Sequence, residues 1–222
     1  MSEEAEDAGA APAPPPSDRA RLRRKPGRGR YDRASIDAIL DAAPIGHVAW
    51  VLDGQPYATP TNVWRQGDRL YWHGSAGSRL LRAADGQPVC VTVTHLDGLV
   101  LARSATNHSV NFRSVMVMGT AHLVTDAAEA EAALEALIES LYPGRWAQLR
   151  PMTVKERNAT GVMWVGLAEA SAKVRAEGSH DDPGDETWPV WAGVIPVRTT
   201  RGEPEPDPYV TDGSPAPQVR LP

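Results

Sequence analysis

The chain has 222 residues, of which 41% are hydrophobic and 23% charged, and its formal net charge is −5. That size allows one substantial core or two small ones, and no apolar run approaches the roughly 20 residues that cross a bilayer. The negative balance argues against a general polyanion binder, and a single cysteine, Cys90, excludes an internal disulfide or a Cys-rich metal site.

Residues 1–30 read as a disordered tail. An acidic Ala/Pro-rich stretch without an apolar core, unlike a secretory signal, gives way to the basic run Arg19, Arg21, Arg23, Arg24, Lys25, Arg28 and Arg30. Such a run reads as solvated rather than as a nucleic-acid contact. Ser35 is positioned to cap a short helix ending near Ala43, where Pro44 and Gly46 stop it. His47–Leu52 and Pro56–Trp64 then read as strands joined at Asp53-Gly54, a dipeptide suited to a tight hairpin turn. Gln66-Gly67-Asp68 leads into a strand over Arg69–His73, and Ser78–Ala84 reads as a short helix.

Pro88–Leu96 alternates, with Val89, Val91 and Val93 against Cys90, Thr92 and Thr94. Asp97-Gly98 is expected to turn it into a further strand, Leu99–Ser104. Asn111–Val124 is another long strand. Asp126 caps an amphipathic helix with Ala133, Leu134, Leu137, Ile138 and Leu141 on one stripe, ended by Pro143-Gly144. Thr153–Asn158 predicts a short helix and Thr160–Ala168 the last clear strand. Six or so strands joined by hairpins, with few helices between, cannot form a doubly wound sheet. The pattern predicts a mainly β (α+β) fold, an antiparallel barrel with peripheral helices.

Two constellations carry possible chemistry. In His73-Gly74-Ser75-Ala76-Gly77-Ser78-Arg79, glycines let a backbone approach an anion, serines donate hydrogen bonds, and Arg79 brings a planar cationic fork. An ordinary helix-capping loop has the same composition, and neither a Walker lysine nor GxGxxG is present. The second, Asn107–Val115, crowds polar side chains, among them Asn111, Arg113 and Ser114, onto the entry to a strand, a costly arrangement unless something satisfies them. A solvated connection is the alternative. The six histidines show no metal-ligand spacing, no GxSxG elbow suggests a hydrolase, and Cys90 reads as a barrel residue. Trp191 lies in a region otherwise poor in core signals, where it needs a pocket or a partner.

Taken in order, His47-Val48-Ala49, Gly54-Gln55-Pro56-Tyr57, Pro60-Thr61-Asn62, Tyr71-Trp72-His73-Gly74-Ser75, Leu101-Ala102-Arg103-Ser104, Asn111-Phe112-Arg113-Ser114-Val115 and Trp191-Ala192-Gly193 resemble the pyridoxamine 5′-phosphate oxidase-like family of FMN-binding split β-barrels, in its nitroimidazole-resistance-type branch. The resemblance covers about residues 31–197 and leaves 198–222 as a tail or arm. It implies a six-stranded antiparallel split barrel and a homodimer with FMN at the interface. The phosphate would lie against Ser75, Ser78 and Arg79, with Asn111, Arg113 and Ser114 contributing. Thr61, Asn62, Val63, Tyr71, Trp72 and His73 would border the ring system, and Trp191 from the second subunit would cover it.

The implied function is a cytoplasmic flavoprotein that reduces a small electrophile with nicotinamide-derived electrons, with no residue assigned as catalytic acid or base. A deazaflavin-dependent reductase or a non-enzymatic flavin or haem binder are the alternatives. Trp191 is followed by the apolar Ala-Gly-Val-Ile-Pro-Val. The C-terminal basic signature of the pyridoxal-forming oxidases is missing there, so pyridoxamine phosphate is not implied as the substrate.

Overall fold

The structure, a computed structural model, describes residues 13–210 and 214–220. Its core is a ring of antiparallel strands: β2 (Ile45–Leu52), β3 (Gln55–Gln66), β4 (Arg69–Ser75), β7 (Thr160–Gly166), β6 (Ser109–Leu123) and β5 (Pro88–Leu101), which pairs again with β2. β6 closes this ring because it is long enough to pair with β5 over most of its length and with β7 through Ala121–Leu123. Two flanking strands extend the sheet. β8 (Ala170–Arg175) lies on β6 and carries the two-residue β1 (Gly29–Arg30), while β9 (Gly193–Pro196) lies on β5.

The alternation seen in the sequence fills the ring. Val48, Val91, Val93, Val115, Val117, Leu70, Trp72, Met163 and Val165 are all essentially inaccessible to solvent and form one cluster. Helix α1 (Arg33–Asp41) adds Ile36, Ile39 and Leu40 to it, and α2 (Arg79–Ala84) adds Leu80, Leu81 and Ala84. Each buried leucine, isoleucine or valine here stabilises by about 1.5–3 kcal/mol. Helix α3 (Ala127–Leu141) lies outside the ring, where Ala133 and Leu137 pack on Trp64, Tyr71 and Val162. Asp126 caps α3 as expected, its side chain accepting from the Glu129 amide. Thr153 and Glu156 form a reciprocal capping box on α4 (Val154–Ala159). Asp53 and Gly54, at φ 51° and 76°, make the tight β2–β3 turn.

Several expectations are corrected. The cap of α1 is Asp32, which accepts from the Ser35 amide, so Ser35 lies inside the first turn. Asp97-Gly98 is not a hairpin turn. β5 runs through it with a register shift between Leu96 and Gly98, a bulge whose glycine leaves room for β9: a Cβ there would sit 3.1 Å from Val194. β8 and β9 are additional to the strands read from the sequence.

From residue 13 onward the basic segment is not a free tail. Arg28 makes a bidentate pair with Glu177 at 2.9 and 2.6 Å, Arg19 pairs with Glu169, and β1 joins the ladder of β8. Residues 1–12, the start of that expected tail, lie outside the described residues. At the other end, the amide of Arg220 bonds to the carbonyl of Leu141, so part of the C-terminal segment returns to α3. No helix among the described residues is long and apolar enough to cross a membrane.

Candidate functional site

The Gly/Ser/Arg loop leaves β4 and enters α2 in a tight turn. The Ala76 amide reaches the Ala159 carbonyl beside the end of β7, and the Ser78 amide bonds to the Ser75 carbonyl at 2.8 Å. The Ser75 hydroxyl accepts from the Gly77 amide, and the Ser78 hydroxyl caps α2 by accepting from the Leu81 amide at 3.2 Å. Among the described residues neither hydroxyl proton is donated. Leu81 fixes the helix against the sheet in a space left by Gly74 and Gly161; a Cβ on Gly161 would collide with it. Gly161→Ala is therefore expected to cost about 1–3 kcal/mol in urea unfolding, because α2 must lift from β7.

Arg79 is exposed at the start of α2, where the first amides of a helix lack intrahelical partners. Its guanidinium lies 5.3 Å from the ring centre of Tyr57, which stacks on Trp50 at 4.7 Å. Trp50 in turn donates to the Thr59 hydroxyl. Among the described residues no carboxylate pairs with Arg79, so its charge is available to an anion.

The second polar constellation is already satisfied within the chain. Asn111 is buried; its Oδ1 accepts from Arg175 and from the Glu177 amide, and its Nδ2 donates to the Glu177 carbonyl. That corrects the expectation that a ligand would satisfy it. Arg113 holds Asp97 with two bonds at 3.0 and 2.9 Å, a pairing that raises its pKa, and Ser114 donates to the Lys173 carbonyl. Nor does the single chain bring Arg113 to Arg79. Tyr57 pairs with Trp50, next to the Ala49–Cys90 pair, whereas Arg113 pairs with His95. From Cys90 to His95 the strand rises by about 17 Å.

The residues expected around a ring system divide by face. The side chains of Val63 and Trp72 are packed inside the barrel and that of Tyr71 lies under α3, so side-chain contact with a ligand is corrected for all three. Thr61 donates to the His73 carbonyl, and Asn62 to the Pro44 carbonyl. His73 is half-buried beside Trp64, at 6.0 Å between ring centres, and its imidazole makes no hydrogen bond among the described residues. Burial lowers its pKa, which favours the neutral ring with a free nitrogen lone pair. Trp191 is 61% exposed and Trp188 67% exposed. Trp188 stands three positions before Trp191 in the same Pro-rich segment, and that spacing is the one local signal that pairs it with Trp191. No three His, Cys, Asp or Glu side chains gather as a metal site among the described residues.

A closed six-stranded antiparallel ring with helices packed against it defines a split β-barrel. The chain belongs to the pyridoxamine 5′-phosphate oxidase family, whose model matches residues 32–174. It is 47% identical to the flavocytochrome Anf3 from Azotobacter vinelandii, over 93% of this chain and 99% of that one, with a TM-score of 0.88. It is 38% identical to an FAD and heme binding protein from Mycobacterium smegmatis, over 86% and 94% of the two chains, with a TM-score of 0.81. A putative 5-nitroimidazole antibiotic resistance protein from Bacteroides thetaiotaomicron shares the fold, at 22% identity over 66% and 86% of the chains and a TM-score of 0.54. A comparison with curated proteins finds no match.

Proposed function

We propose that this protein binds a flavin nucleotide, its phosphate held by Ser75, Ser78 and Arg79, and works as an oxidoreductase on a small electrophile. The observation that carries this is Arg79: a cation with no carboxylate partner among the described residues, beside two serines with protons to donate. The two relatives at 47% and 38% identity, one a flavocytochrome and one an FAD and heme binding protein, support a flavin. The sequence resemblance suggested FMN; the second relative makes FAD the alternative to test beside it, with a deazaflavin as the third. When bound, a flavin supplies reversible hydride and single-electron transfer, while the protein supplies position and electrostatics.

The working unit in this reading is a dimer. The ring's outer face over β3, β2, β5 and β6 carries the cross-strand rows Ala58–Ala49–Cys90–Met118 and Pro60–His47–Thr92–Met116. Val51 and Ile45 lie about half exposed on the same side. A second copy laid on this mixed, largely apolar face would bring its Arg113 and Trp191 toward Arg79, which one chain alone keeps apart. His73 favours a second reading in which the protein also binds haem, since a half-buried imidazole with no hydrogen bond among the described residues, its pKa lowered by burial, would be able to hold the iron.

The test is the absorption spectrum of the purified protein, followed by acid release and mass identification of what it carried. Flavin bands are expected, together with a Soret band that His73→Ala abolishes while the flavin remains. Protein that is colourless and takes up neither FMN nor FAD would overturn the proposal. Bleaching by NADH or NADPH would identify the electron donor.

A further inference from the structure

Between β8 and β9 the chain makes a long excursion that carries both exposed tryptophans, and its hydrogen bonds divide sharply along its length. The first part is tied to the body. Glu177 meets Arg28, Arg175 and His180, and Asp181 accepts from both the amide and the guanidinium of Arg103, at 2.7 and 2.6 Å. Asp182 accepts from Asn107 at 3.2 Å. Beyond it, the hydrogen bonds of residues 183–192 are local: Gly184 to Glu186, Trp188 to Asp185, and Val190 to Trp188. The body takes hold again only where Gly193 pairs with Leu101.

Arg103 and Leu101 are neighbours at the end of β5. The excursion bearing Trp188 and Trp191 is thus closed at its base by two anchors near one strand end: the β5–β9 ladder, and the Arg103 amide and guanidinium on Asp181 with Asn107 on Asp182 beside them. Asp181 is 7% exposed at its side chain, and the Arg103 Nε is buried without a hydrogen-bond partner. The short charge-assisted bond to a largely buried carboxylate, backed by the Arg103 amide, distinguishes this pair from a loose surface one. Opening one anchor lengthens the free loop and multiplies the poses its tip can adopt.

We propose that Arg103 is a positioning residue, which through Asp181 sets the pose of Trp191 over the flavin of a second copy. This rests on the flavin reading above. It also gives a purpose to the Leu101-Ala102-Arg103-Ser104 motif, whose Arg103 hydrogen-bonds Asp181.

Two measurements test it. In the protein without added flavin, Arg103→Met is expected to speed amide hydrogen exchange of residues 183–192 about tenfold while the ring strands stay unchanged; Arg103→Lys should restore most of the protection. In flavin-loaded protein, Arg103→Met and Trp191→Ala should each release flavin about tenfold faster and relieve the quenching of its emission. The double variant should be no faster than Trp191→Ala alone, since both act through one contact. Unchanged exchange and release in Arg103→Met, beside a Trp191→Ala protein that releases tenfold faster, overturns this proposal alone. Full addition of the two effects overturns it as well. A wild-type protein that binds no flavin, or whose release ignores Trp191→Ala, overturns the flavin-cover reading and this proposal with it.

Discussion

Asn111→Leu is expected to lower the unfolding free energy by about 3–5 kcal/mol, the scale for breaking a buried charged contact. The Arg175 guanidinium, only 3% exposed, would lose its Asn111 acceptor, and the amide and carbonyl of Glu177 would lose theirs. The Glu177 and Gly178 carbonyls are what would remain to it, with the Glu177 carboxylate at 3.7 Å. Asn111→Asp keeps both acceptor contacts and loses only the donated bond, so it should cost less than the leucine variant. Urea denaturation of the three proteins checks the order; a loss under about 1 kcal/mol for leucine would mean that Arg175 finds other acceptors.

The same knot has a pH signature. Arg28, and after it His180, hold the Glu177 carboxyl down at about 2 against an ordinary 4.5. A depressed carboxyl contributes stability that is complete above its unfolded value and is lost as pH falls through the folded one. The contribution of Glu177 should therefore fade between about pH 4.5 and 2. Asp181, lowered by the amide and side chain of Arg103, titrates in the same sense. Urea midpoints measured down this window should fall, and Arg28→Ala should flatten the fall.

The second large effect is on binding. Arg79→Ala is expected to weaken flavin affinity by about 1.5–3 kcal/mol, the usual worth of a charged hydrogen bond, or roughly 10- to 150-fold. The fold should be spared, because Arg79 is exposed and its described charge contact is the Tyr57 face. Arg113 should behave differently. To reach a phosphate it must release Asp97, so Asp97→Asn is expected to tighten binding if Arg113 from a second copy takes part, and to leave it unchanged if it does not. Titration by flavin fluorescence measures both, and unchanged affinity in Arg79→Ala would mean that the phosphate sits elsewhere.

The ring was legible because its strands follow local rules. Val89, Val91 and Val93 alternate, Asp53-Gly54 makes a turn only a few dipeptides make, and Asp126 precedes a regular apolar stripe. What escaped was decided by residues far away in the chain. The Arg-rich segment looks solvated by composition, but Glu169 and Glu177, remote in sequence, hold Arg19 and Arg28. Asp97-Gly98 has the composition of a hairpin turn, yet it bulges because β9 pairs across it and Asp97 binds Arg113. β8, with Ser171 and Lys173 among its residues, and β9, four residues long and ending in proline, are too short and mixed to announce themselves. In the site, the crowding of Asn107–Val115 suggested a ligand where Arg175 supplies the satisfaction. Nothing local to Asn111 could reveal that.

Closing the ring through β6 also decides how the protein behaves when crowded. The order of the sheet ends at β1, two residues long, and at β9, which stops at Pro196. Neither offers a length of unpaired backbone on which another chain could template, and proline removes a donor from one of them. At those two ends, self-association of the folded state is thereby steered away from edge-to-edge growth and toward contacts made by side chains, which are finite and saturable.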